Sequence, residues 1–205
     1  MKIFLVRHGQ TDWNKKNVIQ GLKGGRLNAT GRRQAKTIAL FLKGENISSI
    51  YSSDSFRARQ TASEISKATG AKPTFSPKLR ELDGGIFAGK TREEVSKKYS
   101  SLMREREHDP YHFKRPKGES YADVEQRVRP LLEKILSAHS KENIAIVSHQ
   151  GTNRVVLRVL LGLEKNEAVQ LSHPQDCVYE IAVNEGGTSV AHHRGGKRGE
   201  GLLKR

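Results

Sequence analysis

The sequence predicts an α/β protein with a mostly parallel central sheet. Three short apolar segments of strand type, at residues 3–6, 47–51 and 143–148, alternate with longer segments in which apolar residues recur at helical spacing. A helical segment follows each of them, which is the pattern of parallel strands joined by crossover helices. No internal repeat and no long linker interrupts this alternation.

Five helices are predicted from the spacing of apolar residues and from capping signals. They span about 30–42, 56–68, 91–99, 120–139 and 152–161. Thr91 and Glu94 have the spacing of a capping box at the start of the third helix. Pro130 is a candidate kink inside the fourth helix, because proline lacks the amide hydrogen that a helix interior needs.

Two regions are predicted to be less regular. Residues 100–118 are charged and contain Pro110 and Pro116, which favours a loop or a loosely helical lid. Strand-type segments at 178–183 and 189–191 flank a Glu-Gly-Gly sequence, which predicts a hairpin near the C-terminus.

Length and composition favour one domain. The chain has 205 residues, of which 35% are hydrophobic and 29% charged, which is enough for one core. We predict a single domain over residues 1–191 and a basic, mobile tail over 192–205. Cys177 is the only cysteine, and no segment resembles a membrane span or a secretory signal, so we expect a cytoplasmic protein.

The charge of the chain predicts an anionic partner. Lys and Arg number 37 against 22 Asp and Glu, which gives a formal net charge of +15 at pH 7. Such a field attracts phosphorylated metabolites and nucleic acids alike. A nucleic-acid-binding protein is therefore an alternative from another class, although the chain lacks interleaved aromatic residues and any known reader motif.

Polar residues follow each of the three predicted strands. They occupy positions 7–9, 52–57 and 148–151. In an open α/β sheet, ligands bind beyond the carboxyl ends of the strands. We therefore expect Arg7, His8, Arg57 and His149 to converge on one crevice, where neighbouring helix N-termini add positive potential. Such a crevice suits a dianion.

Seven segments carry a resemblance to a known family. They lie at 5–14, 20–21, 27–35, 52–62, 79–85, 118–120 and 147–151. The first contains Arg7-His8-Gly9, which is weak as a motif by itself. The ordered set, spread over roughly residues 3–160, resembles the histidine phosphatase superfamily, the phosphoglycerate mutase-like proteins.

The resemblance implies a fold and a set of roles. The fold is a three-layer α/β/α sandwich. His8 is the nucleophile, Glu81 is the proton donor to the leaving oxygen, and Arg7, Arg57 and His149 bind the phosphoryl oxygens. Substrate-binding residues implied by the matched positions are Asn14, Gln20, Gly21 and Gln150. The implied reaction is phosphoryl transfer without a metal, acting on a small phosphorylated metabolite.

Elementary chemistry is consistent with these roles. Phosphoryl transfer spreads negative charge over the equatorial oxygens, so positioning and electrostatics dominate its catalysis. Two guanidinium groups offer planar donor forks for phosphate. A neutral imidazole is a competent nucleophile if its other N–H is held by a backbone carbonyl, and Gly9 or a near neighbour is the candidate for that carbonyl.

A rival residue stays open at one position, because Asp83 lies two residues beyond Glu81 in the same loop. Arg59 lies two residues beyond Arg57, but the Arg-Ala-x-Gln-Thr-Ala pattern favours Arg57. The remaining histidines are expected on the surface: His108, His112, His139, His173, His192 and His193. No metal site is predicted, because no cysteine or acidic cluster completes one.

Within the family, a broad-specificity phosphatase is favoured over a cofactor-dependent phosphoglycerate mutase. Residues 100–118 contain no adjacent arginine pair, and Gln150 replaces the asparagine typical of mutases. No cofactor is expected, and 2,3-bisphosphoglycerate enters only if the mutase alternative holds. Lys23 and Arg26 stand where the family commonly has an aspartate and a proline, which favours a more anionic substrate. A homodimer is one assembly that the sequence leaves open.

Overall fold

A computed structural model describes residues 1–184 and 186–204. A central sheet holds seven strands in the order β3-β2-β4-β1-β5-β6-β7. Their bounds are Lys2–Arg7 (β1), Ile47–Ser53 (β2), Pro73–Ser76 (β3), Asn143–Ser148 (β4), Cys177–Asn184 (β5), Gly187–Arg194 (β6) and Lys197–Glu200 (β7). The three strands predicted from apolar runs are the adjacent strands β2, β4 and β1 at the centre of this sheet.

The sheet has a parallel half and an antiparallel half. β3, β2, β4 and β1 pair in parallel, whereas β5, β6 and β7 pair antiparallel. The expectation of a mostly parallel sheet therefore describes only the half that includes β1. In this half, Arg7 pairs with Ser148 at the end of the ladder, and the amide of His8 donates to the Ser148 carbonyl at 3.0 Å. The carboxyl ends of β1 and β4 are thus locked side by side.

Eight α-helices flank the sheet in the described part of the chain. They are Asp12–Lys15 (α1), Ala29–Leu42 (α2), Phe56–Thr69 (α3), Arg92–Lys98 (α4), Ser100–His108 (α5), Tyr121–Ala138 (α6), Gln150–Leu161 (α7) and Lys165–Gln170 (α8). The capping box of Thr91 and Glu94 is confirmed at the start of α4. Pro130 lies inside α6, which is assigned as one continuous helix.

Two hydrophobic cores, one on each face of the sheet, make the three-layer arrangement. The alternation of β1 divides its side chains, because Ile3 and Leu5 enter one core while Phe4 and Val6 enter the other. The apolar faces of α6 and α7 cover the first core, and those of α2 and α3 cover the second. Each fully buried aliphatic side chain contributes about 1.5–3 kcal/mol.

The segment predicted as a lid is partly helical. Residues 100–108 form α5, and the chain from Asp109 to Glu119 is irregular. This segment is packed against the rest of the domain, because Phe113 contacts Phe87 and Val95 in a small third hydrophobic cluster. It therefore forms a fixed wall beside the carboxyl ends of the strands.

The basic segment 192–205 is not a mobile tail over its described residues, and the earlier expectation is wrong there. β6 runs to Arg194, and Lys197–Glu200 returns along it as β7 through the turn at Gly195 and Gly196. Lys204 then forms a β-bridge with Leu171. Backbone hydrogen bonds to β6, which composition does not reveal, hold this segment in the sheet.

Candidate active site

His8 lies directly after β1 and is 2% exposed. Its Nδ1 is 2.8 Å from the carbonyl oxygen of Gly9, which is the carbonyl expected to hold it. A Cβ atom on Gly9 would lie 2.3 Å from the carbonyl oxygen of Gly31, so only glycine permits this close turn. The turn fixes one nitrogen of the ring against the backbone and leaves Nε2 for other contacts.

Arg57, on the first turn of α3, donates to that second nitrogen. Its Nε is 3.2 Å from His8 Nε2, and a guanidinium nitrogen can only donate. His8 Nε2 therefore carries the lone pair, and the single ring proton sits on Nδ1. Arg57 also donates from Nη1 to the carbonyl of Lys23 at 2.8 Å and from Nη2 to that of Gly21 at 2.9 Å. The loop after Gln20 thus holds the orientation of this guanidinium.

Arg7, the last residue of β1, is held from the opposite side. Its Nη1 donates to Gln150 Oε1 at 2.8 Å and to the carbonyl of His173 at 3.0 Å. Its Nε is buried and has no protein partner among the described residues. Burial lowers the pKa of Arg7 to about 10, so the group is still charged at neutral pH. An unpartnered donor in a charged group is suited to an anionic ligand.

His149 follows β4 and is fully buried beside His8, with 5.0 Å between the ring centroids. Its Nε2 is 2.9 Å from Ser53 Oγ and 3.2 Å from Ser55 Oγ. Its Nδ1 has no hydrogen-bond partner in the described structure. The ring does not itself line the cavity next to His8. We call the set Arg7, His8, Arg57 and His149 the inner cradle.

Both histidines of the inner cradle are neutral at physiological pH. Burial first, and then the charges of Arg57 and Arg7, hold the pKa of His8 well below its usual value of 6.5. Burial and the same arginines lower the pKa of His149 in the same direction. A neutral ring at position 8 keeps its Nε2 lone pair available for bond formation.

The carboxyl group of Glu81 lies against the N-terminus of α7. Its Oε1 accepts from the amides of Leu82, Gly151 and Thr152 at 2.9, 3.0 and 3.2 Å. Its Oε2 has a single, longer contact of 3.3 Å to the Gly151 amide. A Cβ atom on Gly151 would lie 2.7 Å from Oε1, so glycine allows the carboxyl group to reach the helix. Oε2 is the oxygen left for exchange with a ligand.

The four predicted substrate-binding residues all line the same cavity. The Oδ1 of Asn14 already accepts from Thr11 and Gln175, so its amide NH₂ is the part left for a ligand. Gln20 has a buried Oε1 without a partner in residues 1–184 and 186–204. Gly21 and Gln150 instead bind the arginines of the cradle, through the carbonyl of Gly21 and the Oε1 of Gln150.

The rival residues lie elsewhere. Arg59 is exposed and stacks 4.1 Å above the Phe75 ring, and Asp83 does not line the cavity. Lys23 and Arg26 are exposed and also lie outside the lining. Lys23 contributes to the site through its backbone carbonyl, which accepts a hydrogen bond from Arg57. The structure therefore places Arg57 and Glu81 at the cavity, and not their neighbours Arg59 and Asp83.

Four further arginines line the cavity and were missed by the sequence analysis. They are Arg92, Arg106, Arg115 and Arg154, and we call them the outer arginines. With Arg7 and Arg57 they make six guanidinium groups, and Glu81 is the only acidic residue in the lining among those that the structure describes. No outer arginine forms a salt bridge within the described residues. No motif marked them: Arg92, Arg106 and Arg115 lie in the charged, irregular stretch of α4, α5 and the following loop, and Arg154 lies on α7.

One histidine expected on the surface is in fact buried beside the cradle. His173 is 1% exposed, and its Nδ1 is 2.9 Å from the side-chain Nδ2 of Asn153. Burial lowers the pKa of His173 to about 3. Its carbonyl binds Arg7, so His173 supports the cradle through its backbone while its ring is neutral.

The described residues form neither a cluster of metal ligands nor a membrane-spanning helix. No group of three or more His, Cys, Asp and Glu side chains is placed to hold a metal ion within residues 1–184 and 186–204. Over the same residues, no helix combines the length and the apolar character needed to cross a bilayer.

Known proteins resemble this chain along most of its length. The model of the histidine phosphatase superfamily (branch 1) matches residues 3–194. Phosphoserine phosphatase 1 of Hydrogenobacter thermophilus is 34% identical over 164 residues, which is 80% of this chain and 78% of that protein. Probable phosphoglycerate mutase GpmB of Yersinia enterocolitica is 34% identical over 163 residues, covering 80% and 76%. The matches therefore include proteins named for hydrolysis and for mutase activity.

Solved structures share the architecture. The alpha-ribazole phosphatase of Shigella flexneri superposes with a TM-score of 0.82 at 22% identity, over 100% of this chain and 96% of that chain. Mycobacterial glucosyl-3-phosphoglycerate phosphatase, in complex with VO3, superposes with a TM-score of 0.81 at 25% identity, over 98% and 96%. The sequence match across residues 3–194 and the shared fold lead to one conclusion: the chain belongs to the histidine phosphatase superfamily.

Proposed function

We propose that this protein is a phosphomonoesterase that hydrolyses small phosphate esters through a phosphohistidine on His8. The observation that carries the proposal is the state of the His8 ring. Its Nδ1 is bound to the Gly9 carbonyl and its Nε2 faces the Nε of Arg57, so the lone pair lies in a positively charged setting. General phosphatase activity also agrees with the family and with the phosphatases among its relatives.

The first step forms the P–N bond. The lone pair of His8 Nε2 attacks phosphorus, and the bond between phosphorus and the ester oxygen breaks in line. Arg7 and Arg57 stabilise the charge on the equatorial oxygens. The leaving oxygen takes a proton from the carboxyl group of Glu81, delivered from Oε2, because Oε1 is held by three backbone amides.

The second step returns the enzyme to its starting state. A water molecule attacks phosphorus while the Glu81 carboxylate accepts one of its protons. The P–N bond breaks, its electron pair returns to His8 Nε2, and orthophosphate leaves. Both steps use protein groups alone, so the proposed reaction requires no added metal.

The test is hydrolysis of p-nitrophenyl phosphate with EDTA present, combined with trapping of the intermediate. We expect release of p-nitrophenol and, in an alkaline quench after mixing with ³²P-labelled substrate, an acid-labile label on the protein. The label is expected to be absent from a His8→Ala variant. Hydrolysis that depends on an added divalent cation, or a label that persists in the variant, would contradict the proposal.

We further propose that the substrate carries a second anionic group. Six guanidinium groups and one carboxylate line the cavity, and a phosphoryl dianion neutralises only part of this excess. Within the described residues, the Nε of Arg106 is buried without a hydrogen-bond partner. Arg115 donates to a backbone carbonyl, and Arg154 donates to a backbone carbonyl and to the hydroxyl of Tyr121. Arginines retained without counter-ions in a cavity are costly unless a ligand supplies the negative charge.

The size of the cavity favours a small metabolite. Its volume is about 140 Å³, below the ~300–1,000 Å³ typical of drug-sized ligands. We expect a phosphomonoester with a nearby carboxylate or second phosphate to outperform p-nitrophenyl phosphate in kcat/KM. Phosphoserine, 3-phosphoglycerate and fructose 1,6-bisphosphate are suitable probes, with phosphoethanolamine as the counterpart of phosphoserine that lacks the carboxylate. Equal kcat/KM for phosphoserine and phosphoethanolamine would contradict a second anionic subsite.

A phosphoglycerate mutase is the second candidate. Relatives named as phosphoglycerate mutases favour it, and the outer arginines suit the carboxylate of a phosphoglycerate. A mutase assay with 3-phosphoglycerate, with and without 2,3-bisphosphoglycerate, separates the two. Release of orthophosphate without formation of 2-phosphoglycerate is the outcome expected of the phosphatase.

A further inference from the structure

The two serines beside His149 form an arrangement that the reaction scheme does not yet use. Ser53, at the end of β2, and Ser55, just before α3, both place their hydroxyl oxygen within hydrogen-bond distance of His149 Nε2. The two hydroxyls are also 3.2 Å from each other. Ser53 and His149 are fully buried, so water does not compete for these contacts.

Ser55 makes this contact at the expense of an ordinary role. It is the N-cap residue of α3, where a serine hydroxyl usually accepts from an amide of the first turn. The Ser55 side chain makes no such capping bond. A missing N-cap interaction lowers helix stability. The hydroxyl is therefore committed to the histidine and not to the helix.

The direction of the hydroxyl protons follows from the other contacts. The oxygen of Ser53 accepts the backbone N–H of Ser55 at 3.2 Å, which leaves its proton to point toward Ser55 Oγ or His149 Nε2. If it points to Ser55, the proton of Ser55 is free to point to Nε2. In both of these arrangements one hydroxyl donates to Nε2, which then carries the lone pair.

We infer that Ser53 and Ser55 are positioning residues that hold the proton of neutral His149 on Nδ1, as a donor to the phosphoryl group on His8. The inference rests on the proposed phosphohistidine mechanism. Nδ1 is buried and unpartnered within the described structure, and its ring lies next to the His8 ring. With the opposite tautomer, an unpaired lone pair would replace a donor beside a dianion.

Hydroxyls suit this position better than a carboxylate. A carboxylate at Nε2 would stabilise the imidazolium and would add a negative charge beside the phosphoryl oxygens. A hydroxyl can donate to Nε2 in the neutral ring and accept from it if the ring gains a proton in the transition state. The pair thus adds no charge to the cradle.

The experiment compares Ser53→Ala, Ser55→Ala and the double variant with the wild-type chain. The matched control is Ser52→Ala, because Ser52 is equally buried but donates to the Ser53 carbonyl and does not contact His149. Imidazole ¹⁵N spectra, assigned with a His149→Gln variant, report which nitrogen carries the proton. We expect the Nδ1–H form in the wild type and in Ser52→Ala, and a mixture of tautomers in the double variant.

Activity provides the second readout. We expect kcat for p-nitrophenyl phosphate to fall about 10- to 100-fold in the double variant, which is less than the ~10²–10³-fold of removing one transition-state donor outright. Orthovanadate inhibition is expected to weaken by a similar factor, and Ser52→Ala to keep both values.

The inference is overturned if wild-type enzyme shows the trapped phosphohistidine while the double variant keeps full kcat or the Nδ1–H form. It is also overturned if Ser52→Ala loses as much activity as the double variant, since that marks a packing effect. Failure of the mechanism itself is separate, because it appears as wild-type turnover without a phosphohistidine.

Discussion

The inner cradle and the outer arginines are built from the same kind of side chain but are held differently. In the cradle, Arg7 and Arg57 are fixed by backbone carbonyls of two loops and by the side-chain oxygen of Gln150 at the start of α7. Among the outer arginines, Arg106 has a buried Nε with no partner in the described part of the chain, and Arg92 is exposed at the start of α4. The cradle is preorganised by the protein, whereas Arg92 and Arg106 lack partners that a ligand must supply.

The difference indicates whether each group of arginines affects the rate of the reaction or the binding of the substrate. Donors fixed before the substrate arrives stabilise the transition state without reorganisation, so their loss lowers kcat. Donors that gain their partner only from the remainder of the substrate contribute to binding and selectivity. The inner cradle should therefore control the rate, and the outer arginines the choice of substrate.

The largest expected effect comes from His8→Ala. Without the ring nitrogen the covalent route is lost, and kcat is expected to fall by more than about 10⁴-fold. Substrate binding should be largely retained because Arg7 and Arg57 remain, which equilibrium binding of a labelled substrate would measure. The exposed His108→Ala is the control. A similar loss of kcat in both variants would contradict the role of His8 as nucleophile. Loss of substrate binding together with turnover in His8→Ala would contradict the separation of binding from catalysis.

Glu81→Gln is expected to give the next largest loss. Glutamine keeps an oxygen for the amides of α7 but cannot donate an acidic proton, so kcat should fall about 10²–10⁴-fold for an alkyl phosphate such as glycerol phosphate. The loss should be smaller for p-nitrophenyl phosphate, whose leaving group needs little protonation. Equal losses for the two substrates would argue against Glu81 as the proton donor.

Arg106→Ala tests the outer group directly. We expect KM for a doubly anionic substrate to rise about 10- to 100-fold, as for the loss of a charged hydrogen bond, while kcat for p-nitrophenyl phosphate stays within about twofold. Arg104→Ala is the matched control, because Arg104 lies on the same helix but is exposed and outside the cavity lining. A fall in kcat for both substrates would place Arg106 with the cradle.

The smallest expected effect is on stability as the pH falls. The pKa of His173 is about 3 in the folded chain against 6.5 when exposed, so below pH 6.5 the unfolded chain binds the extra proton. The histidine contribution to stability is therefore complete above about pH 6.5 and declines down to about pH 3, at up to about 1.4 kcal/mol per pH unit. His173→Gln should flatten the fall in melting temperature between pH 7 and 5. An unchanged slope, equal to that of His108→Gln, would contradict this.

Much of the candidate site was predictable because it follows strand ends. Arg7, His8 and His149 sit within one residue of the ends of β1 and β4, and apolar runs made those strands recognisable. The carbonyl partner of His8 was also predicted, since only a residue in the same turn can reach its Nδ1. Local spacing therefore carried the geometry of the cradle.

The outer arginines and the C-terminal strand were not predictable in the same way. Arg106 and Arg115 reach the cavity because α5 and the following loop pack through Phe113, and that packing has no periodic signature in the sequence. β7 is basic and glycine-rich, so its composition suggested mobility, whereas pairing with β6 gives it structure. His173 is buried by tertiary contacts with Asn153 and Cys177.

The ordered C-terminal segment has a practical consequence for handling the protein. The amide of Ser172 donates to the carbonyl of Leu203 at 2.8 Å, and Lys204 bridges to Leu171. The same short stretch supplies the Leu171 carbonyl to Arg154 and the His173 carbonyl to Arg7. A protease that trims residues 202–204 would remove the Leu203 carbonyl and the Lys204 bridge, and so would loosen the backbone that aims both guanidinium groups.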